Sequence, residues 1–157
     1  MKILIVFATK HGCTERCANK LKDKLTGEID TVNLKNSSQI NVSNYKTVII
    51  GVSIHAGKIQ KKVKKFCQNY LSILIDKRIG LFICCMEEGE KATNQFNEAF
   101  PDELIQHASA TGIFGGEFNF EKMNFIERYI VKKIAKIDKS ISKISEKNIN
   151  KFISQIS

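Results

Sequence analysis

Between an apolar run and the start of a helical pattern, the chain reads Thr9, Lys10, His11, Gly12, Cys13, Thr14. Two hydroxyls, an ammonium and an imidazole are bunched around one glycine, and the first carboxylate to follow is Glu15. A turn of this composition running into a helix N-terminus suits an anion. Free backbone N–H groups converge there, the helix dipole favours negative charge, and hydroxyls add donors. The spacing T-x-x-G-x-T is neither G-x-x-x-x-G-K-[ST] nor G-x-G-x-x-G. A nucleoside triphosphate or a dinucleotide is therefore disfavoured, and a single terminal phosphate fits better. The plainer alternative is a strand-to-helix turn capped by Thr14.

Two further polar, glycine-containing stretches follow apolar runs: Ser53, Ile54, His55, Ala56, Gly57, and Cys85, Met86, Glu87, Glu88, Gly89, Glu90. Three such loops at one end of a sheet can cradle one phosphate and flank one flat ring. His55 is the candidate catalytic residue, as a donor to a ligand or a proton relay near neutral pH; the alternative is a solvent-facing loop histidine. Glu87 and Glu88 are adjacent, but nothing in the sequence sets the separation a hydrolytic carboxylate pair needs. His107 closes a helical stretch, a position favourable without any chemistry. The cysteines, Cys13, Cys17, Cys67, Cys84 and Cys85, form no C-x-x-C and have no histidine at zinc-ligand spacing. They read as reduced, buried small hydrophobes, and no metal site is expected. Cys13 stands apart because a helix N-terminus stabilises a thiolate.

The elements that must position these loops follow from the hydrophobic pattern. Lys2–Ala8, Lys46–Ser53 and Arg78–Met86 are short, continuous apolar runs, as expected of strands covered on both faces. A weaker strand is expected at "IDTVNL" and a glycine-interrupted one over Ala108–Phe118. Cys17, Ala18, Leu21 and Leu25 recur at helical spacing before Gly27. Ile59, Val63, Phe66, Cys67, Tyr70, Leu71 and Leu74 form a stripe surrounded by Lys58, Lys61, Lys62, Lys64 and Lys65. The lysines read as a solvated face, or as a docking patch for an acidic partner. A short helix over Ala92–Phe100 stops at Pro101. After the fifth strand, Met123, Ile126, Ile130, Ile134, Ile137, Ile141 and Ile144 line one face of a helical pattern. Residues 119–145 thus form a basic amphipathic segment, suited either to a membrane interface or to covering the last strand. A final helix carries Ile149, Phe152, Ile153 and Ile156.

Strand and helix alternate five times, which implies a parallel sheet with crossover helices on both faces. The expected order is 2-1-3-4-5, with ligands bound beyond the strand ends where the order reverses. A length of 157 residues favours one domain, and the net charge of +9 suits an anionic partner or a lysine-rich surface. Without a recognised motif, charge alone does not make a case for nucleic acid. The first apolar stretch, about six residues, is shorter than a signal-peptide core. A receiver domain would need acidic residues where this chain has Thr9, Lys10 and Ser53.

"ILIVFATKHGCT" and "VIIGVSIHAGKI" together resemble the flavodoxin family, and the resemblance covers residues 1–157 as a single domain. It implies a flavodoxin-like α/β three-layer sandwich that holds FMN. The phosphate would lie on Thr9, Lys10, His11, Gly12, Cys13 and Thr14. The ring would be flanked by Ser53, Ile54, His55, Ala56 and Gly57, and by Cys85, Met86, Glu87 and Gly89. The function implied is electron transfer with a redox partner protein or a quinone. "IGVSIHAGKIQKKVKKF" and Asn119–Ile137 resemble a subgroup, the menaquinone-dependent protoporphyrinogen IX dehydrogenases, with His55 and Ala56 where that subgroup tends to carry Arg and Tyr. This alternative implies an enzyme with a porphyrin substrate, cytoplasmic and peripheral on the anionic inner face of a membrane. Lys10, His11, His55 and Lys58, set against Glu87, Glu88 and Glu90, imply a reduced anionic flavin less destabilised than in an acidic flavodoxin.

Overall fold

The computed structural model of the chain describes residues 1–37, 39–55, 57–136 and 139–157. Ala56 and Ile137, both named above, lie outside the described residues.

Five parallel strands form the sheet: β1 (Lys2–Phe7), β2 (Glu28–Asn33), β3 (Thr47–His55), β5 (Arg78–Cys84) and β6 (Ala110–Ile113). Their order is β2-β1-β3-β5-β6, which is the expected 2-1-3-4-5 counted over the parallel strands. A two-residue strand, β4 (Lys58–Ile59), folds back antiparallel on the end of β3, pairing Ile54 with Ile59 and His55 with Lys58. The third strand therefore runs two residues beyond Ser53, and its end is held as a hairpin.

Alternation along each strand splits the apolar residues between two faces. Leu4, Val6, Val48, Ile50, Leu81 and Ile83 face α2 (Lys61–Leu74) and α3 (Gly89–Ala99), packing on Val63, Phe66, Cys67, Leu74 and Phe96. Ile3, Ile5, Phe7, Ile49, Phe82 and Cys84 face α1 (Cys13–Lys24) and α6 (Glu146–Ile156), packing on Cys17, Ala18, Leu21, Ile149, Phe152 and Ile156. Lys58, Lys61, Lys62, Lys64 and Lys65 are exposed, the solvated face expected. A short helix, α4 (Asp102–His107), follows Pro101, and His107 Nε2 donates to the Lys77 carbonyl at 2.8 Å. That contact accounts for His107 structurally.

The expectation for residues 108–145 needs correction. The glycine-interrupted strand divides: β6 ends at Ile113, Gly115 turns with φ +81°, and β7 (Glu117–Phe118) pairs antiparallel with β8 (Ile141–Ser142). Between them the helical pattern is broken. α5 (Phe125–Ile130) continues into a single π-helical stretch, Val131–Ala135, and stops where Lys136 adopts a left-handed φ of 56°. Met123 and Val131 turn inward, while Phe125, Ile126, Ile130 and Ile134 stay exposed. The predicted stripe is not one buried face, because α6 covers this side of the sheet instead.

Candidate functional site

The register of the parallel strands brings three loops together. Phe7 lies opposite Gly51, and Ser53 lies opposite Cys84, so the chain leaves β1, β3 and β5 at one end of three neighbouring strands. This is the end at which ligands bind in open α/β sheets.

The first loop has the features of an anion site. Gly12 holds a left-handed φ of 90°, which glycine adopts without strain. Its N–H donates to Thr9 Oγ1 at 2.9 Å. A side chain at Gly12 would also run against Lys122 Nζ and Arg16 Nη1, at 3.0 and 3.1 Å, so two cations converge on this turn. No side chain caps α1. The plainer sequence reading, a cap from Thr14, is not what forms. Thr14 sits inside the first turn, fully buried, and its Oγ1 has no partner among the described residues. The leading N–H groups of α1 thus keep the unmet donors of an uncapped helix start.

Beside this turn a carboxylate reaches in from α5. Glu127 Oε2 lies 2.7 Å from His11 Nε2, 3.2 Å from His55 Nε2 and 3.2 Å from Lys10 Nζ. The two imidazole rings are 4.9 Å apart, and the buried His11 Nδ1 has no partner among the described residues. Burial opposes charge on Glu127, but hydrogen bonds from His11 and Lys10 outweigh it and bring its pKa down to about 2. His55 moves below its ordinary value, first through burial and then through His11 and Lys10. Near neutral pH it is therefore an uncharged donor rather than a cation, which removes one positive charge from the expected set.

The remaining loops are less polar than expected at their base. Ser53 N–H donates to Gln60 Oε1 at 3.0 Å, and Ile54 and His55 are half-buried in the hairpin with β4. Cys85 is buried, its N–H donates to the Gly115 carbonyl at 3.0 Å, and burial pushes its thiol up to about 11. Met86 is half-buried, and Glu87 and Gly89 are exposed. Gly57 and Lys58 are exposed at the hairpin tip. A groove of about 410 Å³ runs past Arg16, Glu117 and Asn119 on the outer side of α1, where Arg16 and Glu117 form an ion pair. Another cavity, about 230 Å³, lies between Leu34 and α2, away from the three loops.

Sequence reasoning brought Lys10, His11, Thr14 and His55 to this corner and missed Glu127, Lys122 and Gln60. A signal for Glu127 existed: it is one of two carboxylates in the basic stretch 119–137. Its partners, more than 70 residues away in sequence for His55 and more than 110 for His11, carried none.

Residues 4–145 match the family model described as flavodoxin domain. The chain belongs to the flavodoxin domain family. This flavodoxin-domain protein is 21% identical over 145 residues to a protoporphyrinogen IX dehydrogenase [quinone] of Leishmania major, spanning 87% of this chain and 63% of that relative. It is 23% identical to the protein of the same name from Escherichia coli K12, spanning 80% of that relative. The chain thus spans less than two thirds of the Leishmania relative's length. Two solved structures share the fold: oxidised flavodoxin 1 of Bacillus cereus (17% identity, TM-score 0.57, covering 98% of this chain and 93% of that one), and a short-chain flavodoxin associated with a non-canonical PDU bacterial microcompartment (14% identity, TM-score 0.59, covering 99% and 96%). Among the described residues no helix is long and apolar enough to cross a membrane.

Proposed function

We propose that this flavodoxin-domain protein binds FMN at the three loops and passes electrons between redox partners. The observation that carries this reading is Thr14: a fully buried hydroxyl without a partner, in the first turn of an uncapped helix, beside a glycine flanked by Lys122 and Arg16. Such a group lacks the hydrogen bond that buried polar atoms ordinarily have, and a phosphate oxygen would supply it. Membership in the flavodoxin domain family lends support. Bound FMN supplies the electron chemistry, and the protein supplies placement and charge.

The chain's own residues have distinct parts in this reading. The Cys13 and Thr14 amides and the Thr14 hydroxyl hold the phosphate. Lys10, Arg16 and Lys122 offset its charge. The loops Ser53–Gly57 and Cys85–Gly89 flank the ring, and Cys85, anchored to Gly115, holds the second of them in place. His55, neutral near pH 7, is placed to donate through Nε2 or to move a proton at that atom. Glu127 draws on Lys10 and His11, so a phosphate arriving beside it must share them.

The deciding measurement is the visible absorption spectrum of freshly purified protein before and after adding FMN. A bound-flavin spectrum with saturable, one-to-one uptake is expected; no uptake overturns the reading. Thr14→Val, which keeps the shape and removes the hydroxyl, should weaken FMN binding by about 10- to 100-fold, the effect of losing a hydrogen bond to a charged group. Its far-ultraviolet spectrum should stay unchanged.

A second reading, a quinone-dependent protoporphyrinogen IX dehydrogenase, is favoured by the names of the relatives and by one structural observation. Phe125, Ile126, Tyr129, Ile130 and Ile134 are exposed beside Arg128, Lys132, Lys133 and Lys136, a pattern suited to an anionic membrane surface. An enzyme of this kind bleaches its flavin with protoporphyrinogen and regains the colour with menaquinone. A carrier ignores the porphyrin and exchanges electrons with a protein partner.

A further inference from the structure

Beneath the anion corner, on the buried side of α1, lies a group of residues with no part in the reading above. Cys13 and Cys17, one turn apart on α1, and Cys84, at the end of β5, bring three sulfurs within 4.8 Å of one another. All three residues are buried, at 7%, 0% and 2% exposure. The Cys84 thiol donates to the Cys17 sulfur at 3.6 Å.

We propose that Cys13, Cys17 and Cys84 form a three-sulfur site for a soft d10 metal ion, copper(I). Three thiolates select soft ions. Metal–thiolate bonds of about 2.3 Å place three sulfurs in a plane around one ion about 4 Å apart, close to the spacing already present. Zinc takes four ligands almost without exception, and among the described residues the cluster holds three ligating side chains, all within the buried core that also contains Phe7, Ala18, Phe82 and Phe114. A three-coordinate ion fits where a fourth, water-borne ligand has no place.

The charge can be accommodated. The start of α1 favours negative charge at this end of the helix, although the Cys13 thiol itself is pushed up to about 12, first by its hydrogen bond with Cys17 and further by burial, so the thiolate expected there from the sequence does not form without a metal. Three thiol protons, one from each cysteine, leave to solvent as the ion binds, and no electron is transferred. Cys67 provides an internal control: it is equally buried, but it belongs to the opposite face of the sheet.

The test uses the full-length reduced protein under anaerobic conditions, titrated with copper(I) held by a competing chelator. One equivalent should bind, with thiolate-to-copper absorption in the ultraviolet. Cys17→Ala and Cys84→Ala should each lower affinity by more than about 100-fold, the upper end of what losing even a supporting residue costs a metal site. Cys67→Ala should leave it unchanged. X-ray absorption at the copper edge of the unaltered protein, which needs no variant to fold, should show sulfur neighbours alone. Absence of binding, an equal loss in Cys67→Ala, or a nitrogen shell from His11 and His55 would each overturn the proposal.

Discussion

Helices α5 and α6 are written in the same kind of sequence and meet opposite surroundings. Each starts from a capping side chain: Asn124 accepts from the Glu127 N–H, and Ser145 accepts from the Asn148 N–H. Each repeats large apolar residues at helical spacing. In α6 these are Ile149, Phe152 and Ile156, all but fully buried, with Phe152 set edge-on to Phe82 and Phe114. In α5 and the turn after it, Phe125 is 85% exposed, Ile126 67% and Ile134 79%. α6 lies on the sheet and is tied to α1 through Glu146, which pairs with Lys20 and Lys24. α5 is joined to the domain by Met123, Val131 and the Glu127 contacts. An apolar stripe records that one face needs cover, but not which surface provides it.

The largest test of this contrast is a pair of truncations. Phe152→Ala should cost about 3–5 kcal/mol, as for a large core aromatic, whereas Phe125→Ala should stay within about 0.5 kcal/mol. Urea unfolding measures both, and similar costs would abolish the distinction. Next in size is the reverse experiment on a membrane. Replacing Phe125 with Ser should weaken binding to anionic lipid vesicles by about tenfold or more, given about 1.5–3 kcal/mol for burying such a side chain. Vesicle affinity untouched by the Phe125 change would leave the exposed face without this use.

Glu127→Gln sharpens the comparison by releasing α5 alone. Losing a charge-assisted acceptor is worth about 1–3 kcal/mol, so amide exchange across Phe125–Ala135 should quicken by about tenfold or more. Exchange in Glu146–Ile156 should not change; equal acceleration in both helices would show that α5 and α6 open as one unit. The smallest effect is the pH dependence of the same contacts. Burial holds His55 below its ordinary value in the folded protein, so the unfolded chain binds that proton more readily. Stability should therefore fall as pH drops through about 6.5. Glu127 has the usual carboxylate sense: with its pKa lowered from 4.5 to about 2, its contribution is complete above 4.5 and lost as pH falls towards 2. Unfolding midpoints of His55→Asn should lose the first decline and keep the second.

Much of the architecture was legible because local patterns act alone there. Lys2–Phe7, Thr47–Ser53 and Arg78–Cys84 are short apolar runs that only a two-sided sheet can bury. The T-x-x-G-x-T turn was legible for the same reason: its glycine and its donors lie within six residues. For Thr14 the sequence offered a place in an anion loop or a plain helix cap; the cap does not form, since whether a hydroxyl caps a helix or faces inward depends on where the helix starts. Residues 119–145 were read as a basic amphipathic helical segment because their spacing is helical, yet β7–β8 pairing and the left-handed Lys136 interrupt it.

What the chain's order of residues determined by itself was the alternation of strands and helices, the two-sided core and a glycine-centred, donor-rich turn after β1, because propensity, capping and hydrophobic period act over a few neighbours. Only the tertiary structure decided which helix covers the sheet, that Glu127 joins His11 and His55, and that Cys84 meets Cys13 and Cys17. Those contacts span from 67 to 116 residues along the chain, and no local rule reaches so far; they exist because a parallel sheet sets its strand ends, and whatever follows them, side by side.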